Sequence, residues 1–279
     1  MSVGPPPPQS DRLQRLQCRS DLQSDLQSAD SPGFWRLVAE NASALAGTDK
    51  VFERYRTAGF ADTTVAAADE GYGAISKWLP ADKSATILDL GCGGGEFLEF
   101  LRRQGFTNTE GIDYSVEQIA RCRQRGLENL THATDSQAYV RGRKGKLAVV
   151  VMNDVLEHIP KTNIIPELET IRDSLAPGGS LIIKVPNAAN VFGIVARYLD
   201  FTHEVAFTEH SLQQVLVAAD FPKIEIEGLP VRLKLKPKRL VYWSMNRVYM
   251  SLHRAAYVAA VGEDAPRILN KLLLARAQI

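Results

Sequence analysis

The sequence ILDLGCGGGEFL, residues 87–98, decides the fold of this chain. Its first four residues have the pattern of a short buried strand, glycines crowd its middle, and an amphipathic helix begins at its end. Glycines have no Cβ, so main-chain N–H groups in such a turn can approach a ligand directly. The following helix points its N-terminus at the same place. We expect this turn to bind a small molecule.

Short apolar runs alternate with amphipathic helical stretches on both sides of this turn. This alternation is typical of parallel βαβ units and predicts an α/β fold with a doubly wound, Rossmann-like sheet that carries helices on both faces. Two further apolar segments extend the sheet to seven strands. The predicted strands are 85–91, 109–114, 129–133, 147–153, 180–185, 223–229 and 272–276.

The turn differs from the one that dinucleotides require. The G-x-G-x-x-G pattern would have its third glycine at Glu96, and Asp89 would repel an incoming pyrophosphate. Asp113 closes the second strand, where a carboxylate accepts hydrogen bonds from ribose hydroxyls. Asp135 follows the third strand, where it can accept from an exocyclic amine. The pattern indicates a phosphate-free ligand with an ammonium group, a ribose and an amino-purine.

Four motifs, in order, resemble those of the class I S-adenosylmethionine-dependent methyltransferases. Residues 89–95 resemble their first motif, and 111–115 their second-strand acid. The stretch NDVLEHIP, 153–160, is similar to the subset that includes ubiquinone-biosynthesis O-methyltransferases and enzymes of glycan and natural-product pathways. Residues 175–181 fit the turn into the fifth strand. The resemblance covers roughly residues 50–228, and it implies that the last strand is antiparallel.

The resemblance also implies the cofactor, S-adenosyl-L-methionine, and the residues that hold it. Asp89 and the turn would bind the methionine end, beside Asn153. Asp113 would bind the ribose, and Asp135 with its neighbour the adenine. The complete expected set is Asp89, Gly91, Cys92, Gly93, Gly95, Asp113, Tyr114, Asp135, Ser136 and Asn153.

Two histidines are candidates for the base that a hydroxyl acceptor needs. His158 follows the fourth strand, and His203 lies in the long segment after the fifth. Each has an alternative interpretation as a structural hydrogen-bonding residue. Asp154, Glu157 and His158 also resemble a metal-assisted arrangement, but solvated acids are commoner, and we predict no metal.

The composition limits the class of protein. With 33 basic and 32 acidic residues the formal charge is +1, which argues against a dedicated nucleic-acid binder. Three scattered cysteines do not form a disulfide framework, and the N-terminus lacks the apolar run of a signal peptide, so we expect a cytoplasmic protein. We predict methyl transfer to oxygen of a small-molecule or glycan-type acceptor. A nicotinamide-dependent oxidoreductase and a non-catalytic binding domain remain alternatives.

The charge is unevenly distributed near the C-terminus. Residues 229–262 contain no acidic residue and seven basic ones, and 239–261 have the pattern of an aromatic-rich helix. Such a segment suits an anionic partner, either a membrane surface or a lipid-linked or nucleotide-linked glycan. We predict a lid helix that packs on the domain with its arginines in solvent. Peripheral contact of residues 232–261 with the inner face of the membrane is the alternative, and the two can coexist.

These patterns divide the chain into five parts. The first has four consecutive prolines and a Gln/Ser/Asp-rich composition, which buries too little apolar surface to fold. The predicted parts are a disordered tail, 1–33; an N-terminal helical cap, 34–80; the cofactor-binding domain, 81–228; the basic helical insertion, 229–264; and the last strand, 265–279.

Overall fold

The computed structural model describes residues 51–52, 72–229 and 239–279. The predicted tail and most of the predicted cap lie outside these ranges. Seven strands form one sheet: β1 (Ile87–Leu90), β2 (Thr109–Asp113), β3 (Leu130–His132), β4 (Leu147–Asn153), β5 (Leu175–Pro186), β6 (Lys223–Leu229) and β7 (Leu272–Gln278). The predicted seven-stranded α/β fold is confirmed.

Seven helices in the described part follow or separate these strands. They are α1 (Glu96–Arg103), α2 (Val116–Gln124), α3 (Ser136–Arg141), α4 (Ile164–Ser174), α5 (Gly193–Leu199), α6 (Glu209–Ala218) and α7 (Arg239–Val261). Single 3-10 turns lie at Ser76–Trp78 and Leu156–His158. In the described part, no helix combines the length and apolar character needed to cross a membrane.

The strand order is β3-β2-β1-β4-β5-β7-β6. Strands β1 to β5 pair in parallel, while β7 lies between β5 and β6 and is antiparallel to both. Ala275 of β7 is opposite Ile183 on one side and Ile226 on the other. The antiparallel last strand is therefore present although a long insertion precedes it. The chain leaves β1 and β4 in opposite directions, and this switch point is where doubly wound sheets bind ligands.

Apolar layers cover both faces of the sheet. Successive residues of a strand point to opposite faces, so Ile87 packs with Phe97 and Leu101 of α1, while Leu88 packs with Leu168 of α4. All five side chains are buried. Burial of a large apolar side chain stabilises a fold by about 1.5–3 kcal/mol. The two layers therefore fix the position of the strand ends that form the site.

The segment after β5 is more ordered than its sequence predicts. Residues 186–210 have a loop-like pattern, yet they include the short helix α5. The buried side chains of Asn187 and Asn190 donate hydrogen bonds to the carbonyl oxygens of Ile268, Leu269 and Asn270. These bonds join positions about eighty residues apart, and no local pattern indicates them.

The predicted helix of the basic insertion is present as α7. Its residue Tyr249 stacks on Phe192, with ring centroids 6.3 Å apart. The guanidinium of Arg254 donates a hydrogen bond to the carbonyl of Arg267 at 2.9 Å. One side of α7 therefore contacts the segments before α5 and before β7.

Candidate active site

The turn between β1 and α1 requires glycine for two different reasons. Gly91 and Gly95 have φ of +76° and +81°, and a Cβ at either would lie within 2.4 Å of Val155 or Leu127. Gly93 also has a positive φ, +51°, but a Cβ there would meet no atom within 4 Å. Packing therefore excludes a side chain at both outer glycines, whereas the space next to the middle glycine is open.

Asp113 fastens the turn to the end of β2. Its Oδ2 accepts a hydrogen bond from the main-chain N–H of Gly93, and its Oδ1 accepts from that of Ser115, both at 2.8 Å. The N-cap of the following helix is Ser115, and Asp113 holds the main-chain N–H of that residue. A carboxylate oxygen accepts more than one hydrogen bond, so these contacts are compatible with ribose binding.

Asp89 is a buried carboxyl group beside the turn. Its side chain is 1% exposed, and neither oxygen accepts a hydrogen bond from a described residue. Burial, and then the negative charges of Asp113 and Glu96, raise its pKa to about 8, while Lys184 acts in the opposite direction. The carboxyl group of Asp89 is therefore mostly protonated at neutral pH, and the ammonium group of a ligand would favour its ionised form.

A cavity of about 550 Å³ opens at this edge of the sheet. Six residues predicted from the sequence line it: Gly91, Asp113, Tyr114, Asp135, Ser136 and His158. The other predicted residues lie outside its lining: Asp89, Cys92, Gly93, Gly95, Asn153 and His203.

Asp135 and Ser136 lie at one end of the cavity, where α3 begins. Asp135 is the N-cap of that helix, and its Oδ1 accepts from the N–H of Ala138 at 2.9 Å. The buried side chain of Glu167 also lines the cavity there, and burial raises its pKa. Glu167 comes from the first turn of α4, so no strand-end pattern marks it in the sequence.

The side chain of Cys92 packs behind the turn. It is buried with Leu98, Ile119 and Leu127, and Cys122 lies in the same small cluster. Contact with Cys122 and burial hold the pKa of Cys92 well above its ordinary value. It is therefore a thiol, and Cys92 does not line the cavity.

Asn153 ends β4 on the opposite side of the turn from Asp113. Both polar atoms of its amide are buried and make no hydrogen bond with a described residue. A buried amide without partners is costly, which is consistent with a polar ligand group at this position.

The hydrogen bonds of His158 fix its tautomer. Its Nδ1 lies 2.9 Å from the hydroxyl oxygen of Thr202, and that hydroxyl donates its only proton to Oδ1 of Asp200 at 2.7 Å. The Thr202 oxygen must therefore accept from Nδ1–H, which leaves the lone pair on Nε2. Burial, and then His203, lower the pKa of His158 to about 4. The ring is neutral at physiological pH.

His203 contacts His158 and does not line the cavity. The two rings meet edge to face with centroids 4.6 Å apart, and Nδ1 of His203 donates to the carbonyl of Ala196 at 2.9 Å. The structural interpretation of this second histidine is therefore the one that its contacts support.

Three side chains in the described part are close enough to share a metal ion. Glu157, His158 and His203 each offer a ligand atom within 4.8 Å of the others. Asp154, which the sequence pattern grouped with the first two, forms an ion pair with Lys184 at 2.7 Å. Glu157 is buried without a hydrogen bond to its carboxyl oxygens from described residues, and burial raises its pKa. Of the three residues grouped from the sequence, Glu157 and His158 therefore lie together and Asp154 does not.

Several residues of the site have no sequence motif. Phe52 contacts both Tyr114 and His158, with ring centroids 5.7 and 5.6 Å apart. Thr202 and Asp200 follow α5 and adjoin the predicted candidate His203, but no motif in the sequence marks either of them. Only their three-dimensional contacts identify them.

Comparison with known proteins supports the same family. A family model described as a methyltransferase domain matches residues 59–226. The ubiquinone biosynthesis O-methyltransferase of Psychrobacter cryohalolentis is 28% identical over 179 residues, which are 58% of this chain and 67% of that enzyme.

Solved structures show the same fold. An S-adenosylmethionine-dependent methyltransferase from Archaeoglobus fulgidus superposes with a TM-score of 0.59 at 19% identity, over 77% of this chain and 95% of that one. A Haemonchus contortus phosphoethanolamine N-methyltransferase in complex with S-adenosyl-L-methionine gives 0.55 at 14% identity, over 84% of this chain and 60% of that one. The chain therefore belongs to the methyltransferase-domain family, and its resemblance to class I S-adenosylmethionine-dependent methyltransferases is confirmed.

Proposed function

We propose that this enzyme transfers the methyl group of S-adenosyl-L-methionine to a hydroxyl oxygen of a small-molecule or glycan-type acceptor. The observation that carries the cofactor half of the proposal is Asp89, a buried carboxyl group without a hydrogen-bond partner among described residues, next to an open glycine turn. The observation that supports a hydroxyl group as the methyl acceptor is the neutral ring of His158, which lines the cavity.

The residues around the cavity match the chemical groups of the cofactor in order. Asp89 and the amide of Asn153 lie outside the cavity lining, and we assign them to the ammonium and carboxylate end because their polar side-chain atoms are buried and lack partners in the described part. Asp113 binds the ribose hydroxyls at the middle of the cavity. Asp135 and Ser136 bind the adenine at the end formed by α3. When bound, the cofactor supplies an electrophilic methyl group on a positively charged sulfur.

His158 is the proposed base. His158 lines the cavity, and in the tautomer that Thr202 fixes its acceptor atom is Nε2, which takes the hydroxyl proton of the methyl acceptor as the new oxygen–carbon bond forms. Thr202 and Asp200 hold the ring in this tautomer, and the negative charge of Asp200 stabilises the imidazolium that results. This need for a base, together with the named activity of the Psychrobacter relative, supports oxygen as the acceptor atom.

Turnover with isotopically labelled cofactor tests the proposal directly. Cell extracts incubated with the enzyme and labelled S-adenosyl-L-methionine should yield a labelled product that mass spectrometry identifies as an O-methyl compound. His158→Gln should still bind the cofactor in isothermal titration but form little product. His210→Gln, an exposed histidine on α6, is the matched control and should behave as the wild type.

The same experiment separates the alternatives. Cofactor binding without turnover on any extract would favour a non-catalytic binding domain. Binding of NAD in place of S-adenosyl-L-methionine would favour an oxidoreductase. A labelled N-methyl product would contradict oxygen as the acceptor atom.

A divalent ion gives a second role for the same histidine. If Glu157, His158 and His203 share a cation, the lone pair of Nε2 is occupied and His158 is not the base. Activity that survives chelation with EDTA supports the base. Activity that is lost with EDTA and restored by Mg²⁺ or Mn²⁺ contradicts it.

A further inference from the structure

Helix α7 carries an apolar stripe that points away from the domain. Val241, Met245, Val248 and Leu252 recur at spacings of four and three and are 59–65% exposed. Residues at this spacing lie on one side of a helix. Exposed alanines at 255 and 259 continue the stripe. We call the positions 241, 245, 248 and 252 the outer stripe.

The opposite side of α7 rests on the domain. Its half-buried positions again follow helical spacing: Asn246, Tyr249, Met250, His253 and Tyr257. Tyr249 stacks on Phe192, which precedes α5. Contact with the domain therefore covers this inner side and leaves the outer stripe uncovered by the described residues.

Exposed apolar side chains continue on the neighbouring segment. Residues 191–201 precede, form and follow α5, and they meet α7 at the contact of Phe192 with Tyr249. The apolar side chains of this segment that are more than half exposed are Val191, Phe192, Val195, Tyr198, Leu199 and Phe201. Monomeric soluble proteins rarely expose large contiguous apolar patches, so this surface is typical of an interaction site.

Basic residues accompany the outer stripe. Residues 229–262 contain seven arginines and lysines and no acidic residue. On α7, Arg247 and Arg254 are exposed, and the guanidinium of Arg247 lies 4.8 Å from the ring centre of Trp243. A helix with an exposed apolar stripe and with arginines and a tryptophan together on another exposed side is typical of helices that lie in the interface of a membrane.

Charge decides which occupant fits this surface. A second copy docked through the same face would bring together two helices that carry arginines and no acidic residue, and these would repel. An anionic lipid surface attracts the same charges and also accepts the apolar side chains. We infer that α7 is an interfacial helix that docks the enzyme on an anionic membrane, with the outer stripe inserted among the lipids and the basic residues at the head groups.

Vesicle sedimentation tests this inference with the full-length protein. The probes are phosphatidylcholine vesicles with and without phosphatidylglycerol, at low and at high salt. We expect binding to the anionic vesicles only, weakened by salt because exposed charges are screened. Equal binding to both kinds of vesicle, or binding to neither, would overturn the inference.

Two sets of substitutions separate the apolar and charged contributions. The double variant Val248→Asp and Leu252→Asp should lower the partition coefficient on anionic vesicles at least about tenfold. The triple variant Lys236→Gln, Lys238→Gln and Arg247→Gln should lower it about a hundredfold. Val217→Asp, at an exposed valine on α6, is the control and should bind as the wild type does. Wild-type binding by either variant set would contradict the inference.

Two further measurements distinguish membrane docking from a failure of cofactor binding and from dimer formation. Isothermal titration with S-adenosyl-L-methionine reports the fold of each variant, and its failure in the wild type would contradict the proposed cofactor and not the docking surface. Light scattering reports the oligomeric state. A wild-type dimer that Val248→Asp and Leu252→Asp converts to a monomer would show that the stripe joins two copies, and would overturn membrane docking.

Discussion

The two halves of the cavity are built in different ways. The cofactor half, from β1 to the start of α3, uses residues close to the ends of consecutive strands, and Asp113 reaches only twenty residues back to the N–H of Gly93. The acceptor half joins His158 to Thr202, forty-four residues later. The cofactor half is formed by local turns, and the acceptor half is formed by packing between distant segments. Substitutions in one half should therefore change its own function, cofactor binding or methyl transfer, and leave the other function intact.

The largest expected effect separates chemistry from binding. His158→Gln removes the neutral imidazole that accepts the substrate's proton. The value of kcat should therefore fall by about 10²–10⁴, the usual contribution of a positioned base. The dissociation constant for the cofactor should not change, because the cofactor half is intact. Stopped assays and titration calorimetry measure the two quantities. A variant with normal kcat would show that another group accepts the proton.

The second prediction compares two glycines within the cofactor half. Gly91→Ala adds a Cβ 2.4 Å from Val155 to a left-handed residue, so the free energy of unfolding should fall by about 3 kcal/mol or more. Gly93→Ala adds only the backbone strain, about 1–2 kcal/mol. Urea denaturation measures both.

Gly105→Ala is the matched control for the open glycine of the turn. Gly105 has φ of +86° and an equally open Cβ position, but it lies outside the site. It should lose the same stability as Gly93→Ala and keep full cofactor affinity, while Gly93→Ala weakens binding. Equal affinity in both variants would show that the turn does not approach the cofactor.

The third prediction sharpens the acceptor half. Thr202→Val removes the oxygen that accepts from Nδ1 of His158, so the ring loses its fixed tautomer and kcat should fall about 10-fold to 100-fold. Thr202→Ser keeps the oxygen and should restore most of the rate. Steady-state kinetics should show the change in kcat and little change in KM for the cofactor. No rescue by serine would indicate a packing defect.

The smallest effect concerns the pH dependence of cofactor binding. The pKa of Asp89 is raised to about 8 in the protein without ligand, and the ammonium of the cofactor favours the ionised form. Below that pKa the carboxyl group must lose its proton on binding, so affinity should rise with pH, at most about tenfold per unit between about pH 6 and 7.5. Calorimetry in buffers of different ionisation enthalpy should detect proton release. Asp89→Asn should remove this dependence.

The local features of the fold follow from the sequence. Ser115 caps α2 by accepting from the N–H of Gln118, and Gly126 follows that helix with φ of +70°; both are residue types that these positions favour. The seven strands were predicted at the right places along the chain, although β5 begins at Leu175 and not at 180, and the helix in the basic insertion was predicted correctly. These features depend on side-chain period and on backbone preferences of single residues, so a single sequence contains them.

Other predictions from the sequence depend on more than local pattern. The five-part division of the chain stays a prediction, and so do the roles of the cofactor-binding residues, although the structure brings many of them to one cavity. Cys92 shows the limit of a motif, because the position belongs to the turn but its side chain packs away from the cavity. A motif fixes which backbone segment reaches the site and does not fix where each side chain points.

The sequence by itself determined the sheet, the glycine turn and the acids at the strand ends, because these arise from periodicity and from conformations that only certain residues adopt. Tertiary structure alone decided that Asp200 and Thr202 orient His158, that Asn187 and Asn190 hold the segment around α5, and that the described residues leave one side of α7 uncovered. Those outcomes depend on hydrogen bonds and packing between residues far apart in the chain. Their partners are chosen by the completed fold and not by neighbouring residues.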